Sequence, residues 1–556
     1  MNSPSRLSGH AFEPKLVSVL RHGYGLGDLR ADAIAGFTVA VVALPLAMAL
    51  AIASGTTPDK GLHTAIVAGF LISALGGSKV QIGGPTAAFI PVVFNVIERF
   101  GYGGLVMCTL MAGLMLIAAG VLRLGNLMKF MPQPVITGFT AGIAVTIFVS
   151  QVKDALGLEI AQVPGEFLER WRSYFEHIHT FNPAAFGLTL ACLGIILAIK
   201  RWRPQWPMLL IAVVAGSLAA FVLPVETIGS TFGQLPSALP SISFPHIPFD
   251  RVFELLPASF TIAFLAGVES LLSAVVADGM TGGRHRSNAE LVAQGVANVG
   301  SALVAGLPAT GAIARTATNI RSGARSPVAG ILHAMFLLAF MLLLSPLMSY
   351  VPLAALAAVL LMVAWNMSEI ERFRHLMGSA WGDRLVLLIT FALTVLFDLT
   401  VAIEVGVVLA AFVFMQRMSG VVEVASDAGA ADDDDAESAG SQQRAALPPG
   451  VEAYRVAGPL FFAAASRLDD VLDQLPGDTR IFILRMRQVP IIDASGEAAL
   501  RALLDRCHRR GIRAIISGLQ AQPRQIVIDM GLVNHPALLG MARDFPAAVA
   551  MAAARQ

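Results

Sequence analysis

Apolar runs long enough to cross a lipid bilayer recur through most of this chain, and that recurrence restricts its fold more than any other feature. A spanning helix needs about 20 apolar residues. Runs of that kind begin near Ile34, Leu62, Leu105, Pro134, Ala184, Met208, Pro257, Pro327 and Leu385. Shorter or split ones occupy residues 86–97, 290–305, 309–320, 352–366 and 400–416. Together they make about fourteen segments by the length criterion. Only 14% of the 556 residues are charged, where soluble domains carry about 25%. The mean hydropathy is +0.69. The chain therefore reads as a polytopic α-helical membrane protein with a polar C-terminal part.

The formal net charge of +1 selects no partner, and no nucleic-acid partner is expected. Cys108, Cys192 and Cys507 lack the spacing of a metal or redox motif and read as packing residues, so no metal or cofactor is expected. Residues 1–30 are polar, carrying Arg6, Lys15, Arg21 and Arg30, and read as an N-terminal cytoplasmic segment without a cleavable signal peptide.

Charge asymmetry orients the segments. With the N-terminus inside, the loops on the cytoplasmic side hold Lys79; Arg123 and Lys129; Lys200, Arg201 and Arg203; Arg284 and Arg286; Arg321 and Arg325; and Arg372, Arg374 and Arg384. The facing loops mix fewer cations with acids: Asp59 with Lys60, Glu98 with Arg99, then residues 153–176 and 226–254. This is the positive-inside pattern. An even number of spans returns the chain to the cytoplasm near Arg417.

Two of the short segments are interrupted alike. One reads Gly83-Gly84-Pro85-Thr86 before the apolar run 87–93; the other reads Gly306-Leu307-Pro308-Ala309-Thr310 before residues 311–314. They occupy the third and tenth segments, and Met131-Pro132 echoes Val351-Pro352 at the openings of two further runs. An offset of seven segments is odd, so the repeat must be inverted across the membrane. Paired broken helices in an inverted repeat point to a transporter's central binding site. A break exposes N–H groups and the positive end of a helix dipole, which together attract an anion. The expectation is that half-helices begin at Pro85 and Pro308, where a missing N–H is tolerated. Their N-termini then oppose one another, with Thr86 and Thr310 adding hydroxyl donors.

Glu269 lies in TIAFLAGVESLLSAVVAD, otherwise apolar for about a full span. A carboxylate at that depth is costly and marks function, unless a neighbouring helix break or a hydroxyl such as Ser270 or Ser273 holds it structurally. Arg315 follows the second break by one to two turns and either faces a bound anion, pairs with Glu269 or Asp278, or turns to the cytoplasmic side. Asp398 and Glu404 read as structural carboxylates, and His333 as a satisfied packing histidine.

After Arg417 the character changes. Residues 427–449 are acidic and rich in small residues and read as a flexible linker, spanning 421–449 in all. From residue 450 a soluble α/β pattern follows: short buried strands at 481–484 and 514–516, and a helix over 496–510 with a stripe of Ala499, Leu500, Leu503 and Leu504.

These residues resemble the sulfate permease (SulP) family. DAIAGFTVAVVALPLAMALA from Asp32 is similar to the family's first helix, PQPVITGFTAGIAV from Pro132 to its fifth, and GLPATGAIARTATNIRSGARSP from Gly306 to its tenth segment and following loop. Residues 451–550 resemble its STAS domain, whose DASG motif, Asp493 to Gly496, matches a loop phosphorylated on serine in related bacterial regulators. Ser495 is accordingly a candidate regulatory site; its other reading is as a residue that merely starts a helix.

The resemblance implies a seven-plus-seven inverted repeat divided into core and gate domains (residues 31–420), a cytoplasmic STAS domain (450–556) and a substrate site between the third and tenth half-helices. Gly84, Pro85 and Pro308 mark the breaks. Substrate contacts are expected at Thr86, Ala87, Thr310, Gly311, Ala312 and Arg315, and the coupling ion at Glu269 and Ser273. Glu269 matches an acid that is Asp, and binds sodium, in the family's bicarbonate transporters, and Ile313 stands where a sodium-binding Thr is found there. Both departures count against sodium. The stretches VVADGMTGGRHRSNAEL and VLLMVAWNMSE are most similar to a bacterial C4-dicarboxylate transporter.

The expected function is secondary active transport of sulfate, bicarbonate or a C4-dicarboxylate, coupled to protons, in a bacterial inner membrane with both termini cytoplasmic. A homodimer contacting membrane lipid and a cytoplasmic regulator acting through the STAS domain are the further partners. The alternatives are a sodium-coupled bicarbonate transporter, a nucleobase permease and a STAS-based signalling scaffold. The tenth segment has Arg315 and no acid, which weighs against the nucleobase reading. The loops hold no nucleotide-binding loop or Ser/His/Asp set, so neither an enzyme nor an ATP-driven pump is expected.

Overall fold

The computed structural model describes residues 12–126, 132–161, 163–204, 206–234, 237, 239–242, 249–397, 399–421, 423–426, 447–461 and 475–555. Arg6, Met131, Asp398 and the acidic stretch 427–446 lie outside them. The chain forms two compact units, Met1–Val408 and Leu409–Gln556.

The first unit is helical apart from two two-residue strands. In chain order it comprises α1 (Lys15–His22), α2 (Leu26–Ala53), α3 (Pro58–Leu75), β1 (Gly83–Gly84), α4 (Ile90–Val121), α5 (Gln133–Ser150), α6 (Val152–Leu156), α7 (Phe167–Glu176), α8 (Pro183–Trp202), α9 (Met208–Ala219), α10 (Ile228–Phe232), α11 (Val252–Thr281), α12 (Ser287–Leu303), β2 (Thr310–Gly311), α13 (Ile313–Arg321), α14 (Val328–Met348), α15 (Leu353–Met367), α16 (Ile370–Met377) and α17 (Trp381–Leu396). The helix α18 (Leu399–Val421) runs from this unit into the next.

Every segment expected from the sequence has a helix. Two of them share α4, which is interrupted at Gly101, where φ is +70° and ψ −177°. Only glycine adopts such a conformation without strain, so residues 90–100 form a short helix set end-on to the full span that follows. Pro257, expected to open a segment, instead lies inside α11, which starts at Val252. Cys108 and Cys192 are buried in their helices.

The packing shows the repeat. The helices α2, α3, α4 and α11 to α14 pack mainly on one another, and α5, α8, α9, α15 and α17 form a second group. Shifting each segment by seven exchanges the main contacts: α4 with α12 becomes α14 with α3, α4 with α11 becomes α14 with α2, and α5 with α17 becomes α15 with α8. A pairing scheme that maps onto itself in this way is the mark of two copies of one helical unit.

Small residues permit the tightest of these crossings. A Cβ on Gly113 of α4 would lie 2.8 Å from the Gly295 carbonyl of α12, and one on Gly295 2.5 Å from the Gly113 carbonyl. The two backbones touch directly, as in the close crossings of membrane helices.

The second unit contains β3 (Glu423–Ser426), β4 (Val451–Ala457), β5 (Ile481–Gln488), α19 (Ala494–Arg509), β6 (Arg513–Ser517), α20 (Ala521–Asp529), β7 (Leu538–Ala542) and α21 (Phe545–Ala553). Its sheet has the order β3-β4-β5-β6-β7, parallel except for β3. Residues 423–426, expected within the linker, are thus an edge strand. Their backbone pairs antiparallel with β4 from Glu423–Ala457 to Ser426–Tyr454. The stripe Ala499, Leu500, Leu503, Leu504 and Cys507 of α19 is buried in the core.

Gly113→Val is expected to destabilise the first unit by about 1–3 kcal/mol, the range for overpacked cores. A lower melting temperature in detergent would register it; an unchanged one would show that α4 and α12 separate freely.

Candidate functional site

The two interrupted segments meet. β1 and β2 pair antiparallel, Gly83 opposite Gly311 and Gly84 opposite Thr310. Because the strands run in opposite senses, the helices that follow them leave in opposite directions and turn their N-termini toward the crossing. The prolines do not start those helices, as the sequence had led us to expect. Pro85 is followed by Thr86 and a single 3-10 turn, Ala87–Phe89, before α4 begins at Ile90; Pro308 stands five residues ahead of Ile313, the first residue of α13. Neither proline lies in the ladder: Gly84, which precedes Pro85, pairs there at φ +147°, a conformation open to glycine, and Leu307, which precedes Pro308, stands outside it. Arg315 therefore sits in the first turn of α13, not one to two turns along it.

Broken backbone inside a membrane protein needs partners, and side chains supply them. The Leu307 N–H donates to Thr64 Oγ1 (2.6 Å) and its carbonyl accepts from Ser301 Oγ (2.6 Å). Asn298 brackets Ala309, accepting from its N–H and donating to its carbonyl, each at 2.9 Å. The Ala312 N–H donates to the Ile82 carbonyl (2.8 Å), and the Ile82 N–H to Thr316 Oγ1 (3.1 Å). Glu290, wholly buried, accepts from the Gly77 and Ser78 N–H groups, from Ser270 Oγ (3.0 Å) and from Gln294 Nε2 (2.8 Å).

These residues were missed in the sequence, although their signal is there. Glu290, Gln294, Asn298 and Ser301 recur at spacings of four, four and three along α12, which makes one polar face on an otherwise small and apolar helix.

What is left over defines the site. The first N–H groups of any helix lack intrahelical acceptors; Ile313 and Ala314, at the start of α13, are exposed. Thr86 and Glu269, both partly exposed, stand together, the Thr86 hydroxyl donating to Glu269 Oε2 at 2.9 Å. Glu269 is thus held by neither Ser270 nor Ser273. Ser270 serves Glu290, and Ser273 donates to Thr316 Oγ1 (3.1 Å), away from the carboxylate.

Thr310, expected to offer its hydroxyl to a ligand, is buried and donates to the Ala266 carbonyl (2.8 Å). Ala87 and Ala312 are buried beside the two N-termini, and Gly311 leaves no room for a side chain, since a Cβ there would meet Gln81 and lie 3.2 Å from the Ser270 Cα.

Arg315 is 4% exposed. Its Nη2 donates to the Pro85 carbonyl, and its Nη1 has no hydrogen-bond partner among the described residues. It lies within electrostatic range of Glu269, and Asp278 is engaged instead by His285 at 2.7 Å. Gly84 makes room for the guanidinium: a Cβ there would come within 2.7 Å of Nη1. A carboxylate, a guanidinium with a spare donor and two helix N-termini thus converge on one space.

At the other side of the first turns of α4, a small cavity of about 40 Å³ is lined by Ile90, Phe94 and Asn95 of α4, Thr146 of α5, Arg170 of α7 and Thr394 of α17. The Arg170 guanidinium stacks 5.1 Å from the Phe94 ring centroid and donates from Nε to the Pro164 carbonyl (2.9 Å), while the Gly165 N–H donates to Glu98 Oε1 (3.2 Å). These contacts tie α7 and the loop before it to α4.

His333 is fully buried in α14, and Glu404 is exposed on α18. Ser495 is exposed in the first turn of α19; the cap of that helix is Asp493, whose side chain accepts from the Gly496 N–H at 2.7 Å.

Comparison with known proteins bears on the whole chain. Residues 29–390 match the sulfate permease family and residues 444–540 the STAS domain. The proposed sulfate transporter YvdB of Bacillus subtilis (strain 168) is 42% identical over 520 residues, 92% of this chain and 96% of that protein. The bicarbonate transporter BicA of Synechocystis is 30% identical over 509 residues, 90% of each. Among solved structures, SLC26A9 superposes with a TM-score of 0.86 at 16% identity, covering 98% of this chain and 93% of that one, a likeness of fold. The transmembrane domain of BicA superposes with a TM-score of 0.60 at 30% identity, covering 68% of this chain and 98% of that one. The chain belongs to the sulfate permease family, membrane transporters, and carries a C-terminal STAS domain.

Proposed function

We propose that this protein is a secondary active transporter of small anions, of the sulfate, bicarbonate or C4-dicarboxylate class, that moves them by alternating access and couples them to protons. The observation that carries the reading is the convergence of two opposed helix N-termini with Arg315 and Glu269. The helix ends and the spare guanidinium donor favour an anion, and the wholly peptide-bonded ladder holds them in register. The names of the similar transporters, for sulfate and for bicarbonate, support the anion class.

Alternating access follows from the two helix groups. On this reading the site lies on the group containing α4, α11 and α13, and the contacts of Arg170 and Gly165 with Phe94 and Glu98 are assigned as a closure on one side of it. Opening that side requires movement at these contacts.

Coupling is an electrostatic argument. An arriving anion and an ionised Glu269 repel one another; a proton on Glu269 removes the repulsion. Anion and proton therefore bind cooperatively, and linkage makes the effect reciprocal. Thr86 transmits it, because its hydroxyl connects the helix break to the carboxylate.

All these residues lie in the first unit, so the STAS domain is assigned to dimerisation or regulation on the cytoplasmic side of a bacterial inner membrane.

Three outcomes are expected. Thr86→Phe and Ala312→Leu, checked for folding by size exclusion, each weaken anion binding by at least about tenfold, or about 1.4 kcal/mol; unaltered affinity in both would remove the site from this position. Glu269→Gln proteoliposomes still exchange anion but lose concentrative uptake under an inward proton gradient. Sodium-dependent, pH-independent uptake by the wild type, or uphill uptake by the variant, would refute proton coupling. Deleting residues 451–556 leaves anion affinity unchanged, whereas a folded truncation that no longer binds would place part of the site in the STAS domain.

A further inference from the structure

The end of α8 carries a feature that transport does not use. Its last residues read Lys200, Arg201 and Trp202, and Arg203 follows. The chain then turns sharply: the Trp206 N–H donates to the Arg203 carbonyl (3.0 Å) and the Met208 N–H to the Trp206 carbonyl (2.8 Å). This turn brings Trp206 back beside the helix. A groove of about 330 Å³ results, lined by Ile195, Ala198, Ile199, Trp202, Arg203 and Trp206. Its walls are hydrocarbon and indole, and the indoles are widely exposed, Trp202 at 76% and Trp206 at 58%.

The rim is cationic. Lys200 donates to Asn366 Oδ1 at the end of α15 (3.3 Å), which fixes the rim against that helix. Among the described residues, neither Arg201 nor Arg203 has a carboxylate partner. Glu369, the acid that follows Asn366, is paired with Arg372 at 2.9 Å. Arg203 lines the apolar slot and Arg201 stands two residues before it at the end of α8, so the slot and its basic flank complement a molecule with a hydrocarbon tail and an anionic head.

The geometry points to a phospholipid site: an anionic phospholipid of the leaflet reached by the C-terminal end of α8 lays an acyl chain between Trp202 and Trp206 and its phosphate against Arg201 and Arg203. Indoles and basic side chains suit the membrane interface because each has an apolar body and a polar tip. Lipid selectivity follows from the unpaired charge, because each cation near the surface attracts anionic lipid more strongly than zwitterionic lipid. With two such cations, selectivity of roughly thirtyfold is expected.

The test uses the full chain in nanodiscs, in a variant that keeps only these two indoles, W171F/W365F/W381F. Phosphatidylglycerol brominated on its acyl chains quenches their fluorescence at a roughly thirtyfold lower mole fraction than brominated phosphatidylcholine. Adding Arg201→Gln and Arg203→Gln abolishes the selectivity and leaves quenching by either lipid at high mole fraction. Native mass spectrometry of the otherwise unaltered chain, with and without the two Gln substitutions, gives the same comparison should the Trp variant fail to fold. Equal quenching by the two lipids, selectivity that survives loss of both arginines, or indoles shielded from either lipid by a second copy of the chain would each overturn the assignment.

Discussion

The backbone of the two helix breaks must find hydrogen-bond partners away from water, and the centre of this protein is organised around that requirement. Each unpaired N–H or carbonyl in such a place costs several kcal/mol, on the order of a large share of a domain's net stability. The chain meets the demand in two ways. The breaks pair with one another, Gly83 and Gly84 against Gly311 and Thr310, and side chains bind further peptide groups, chiefly Glu290, Asn298 and Ser301 on the polar face of α12, with Thr64 and Thr316. The result is a rigid crossing rather than two frayed helix ends.

That rigidity bears on the chemistry. With Leu307, Ala309 and Ala312 already bonded, the N–H groups at the start of α13 and Nη1 of Arg315 are left over among the described residues. They are preorganised, so on the proposed function an anion would gain their attraction without the cost of ordering them. The same geometry leaves Glu269 with the Thr86 hydroxyl as its hydrogen-bond donor and with Arg315 in electrostatic range. On the proposed function, a site with one carboxylate, one guanidinium and two helix ends would sit close to electrostatic balance, a condition in which one proton changes what it accepts.

The repeat explains how such a crossing forms at all. Two inverted copies of a helical unit bring their third segments together from opposite sides, and the exchange of contacts between α4–α12 and α14–α3 extends this symmetry to the surrounding helices. Glycine contacts such as Gly113 against Gly295 bring α12 close enough to α4 for its polar face to reach the break. The fold survives wide sequence divergence, as the 16% identity with SLC26A9 at a TM-score of 0.86 illustrates. What it needs is small residues and backbone pairing at a few positions.

Much of this was legible beforehand. Apolar run length placed the segments, because a bilayer demands it, and the matched Gly-x-Pro interruptions located the crossing, because proline and glycine disrupt helices wherever they stand. Glu269 was conspicuous as a charge in an apolar run. The errors lie where a local rule met tertiary competition. Proline tolerates a first helical turn, yet Pro85 and Pro308 flank the paired strands and stand ahead of their helices, since pairing across the repeat outweighs a local start. Ser270, adjacent to Glu269 in sequence, points to Glu290, while Thr86, 183 residues away, holds the carboxylate. Thr310 looked like the counterpart of Thr86 but spends its hydroxyl on Ala266. Residue type and spacing thus determined which segments cross the membrane and where they break; the partner of each polar group was decided by the meeting of distant segments, because a hydrogen bond depends on distance and direction in space and not on position along the chain.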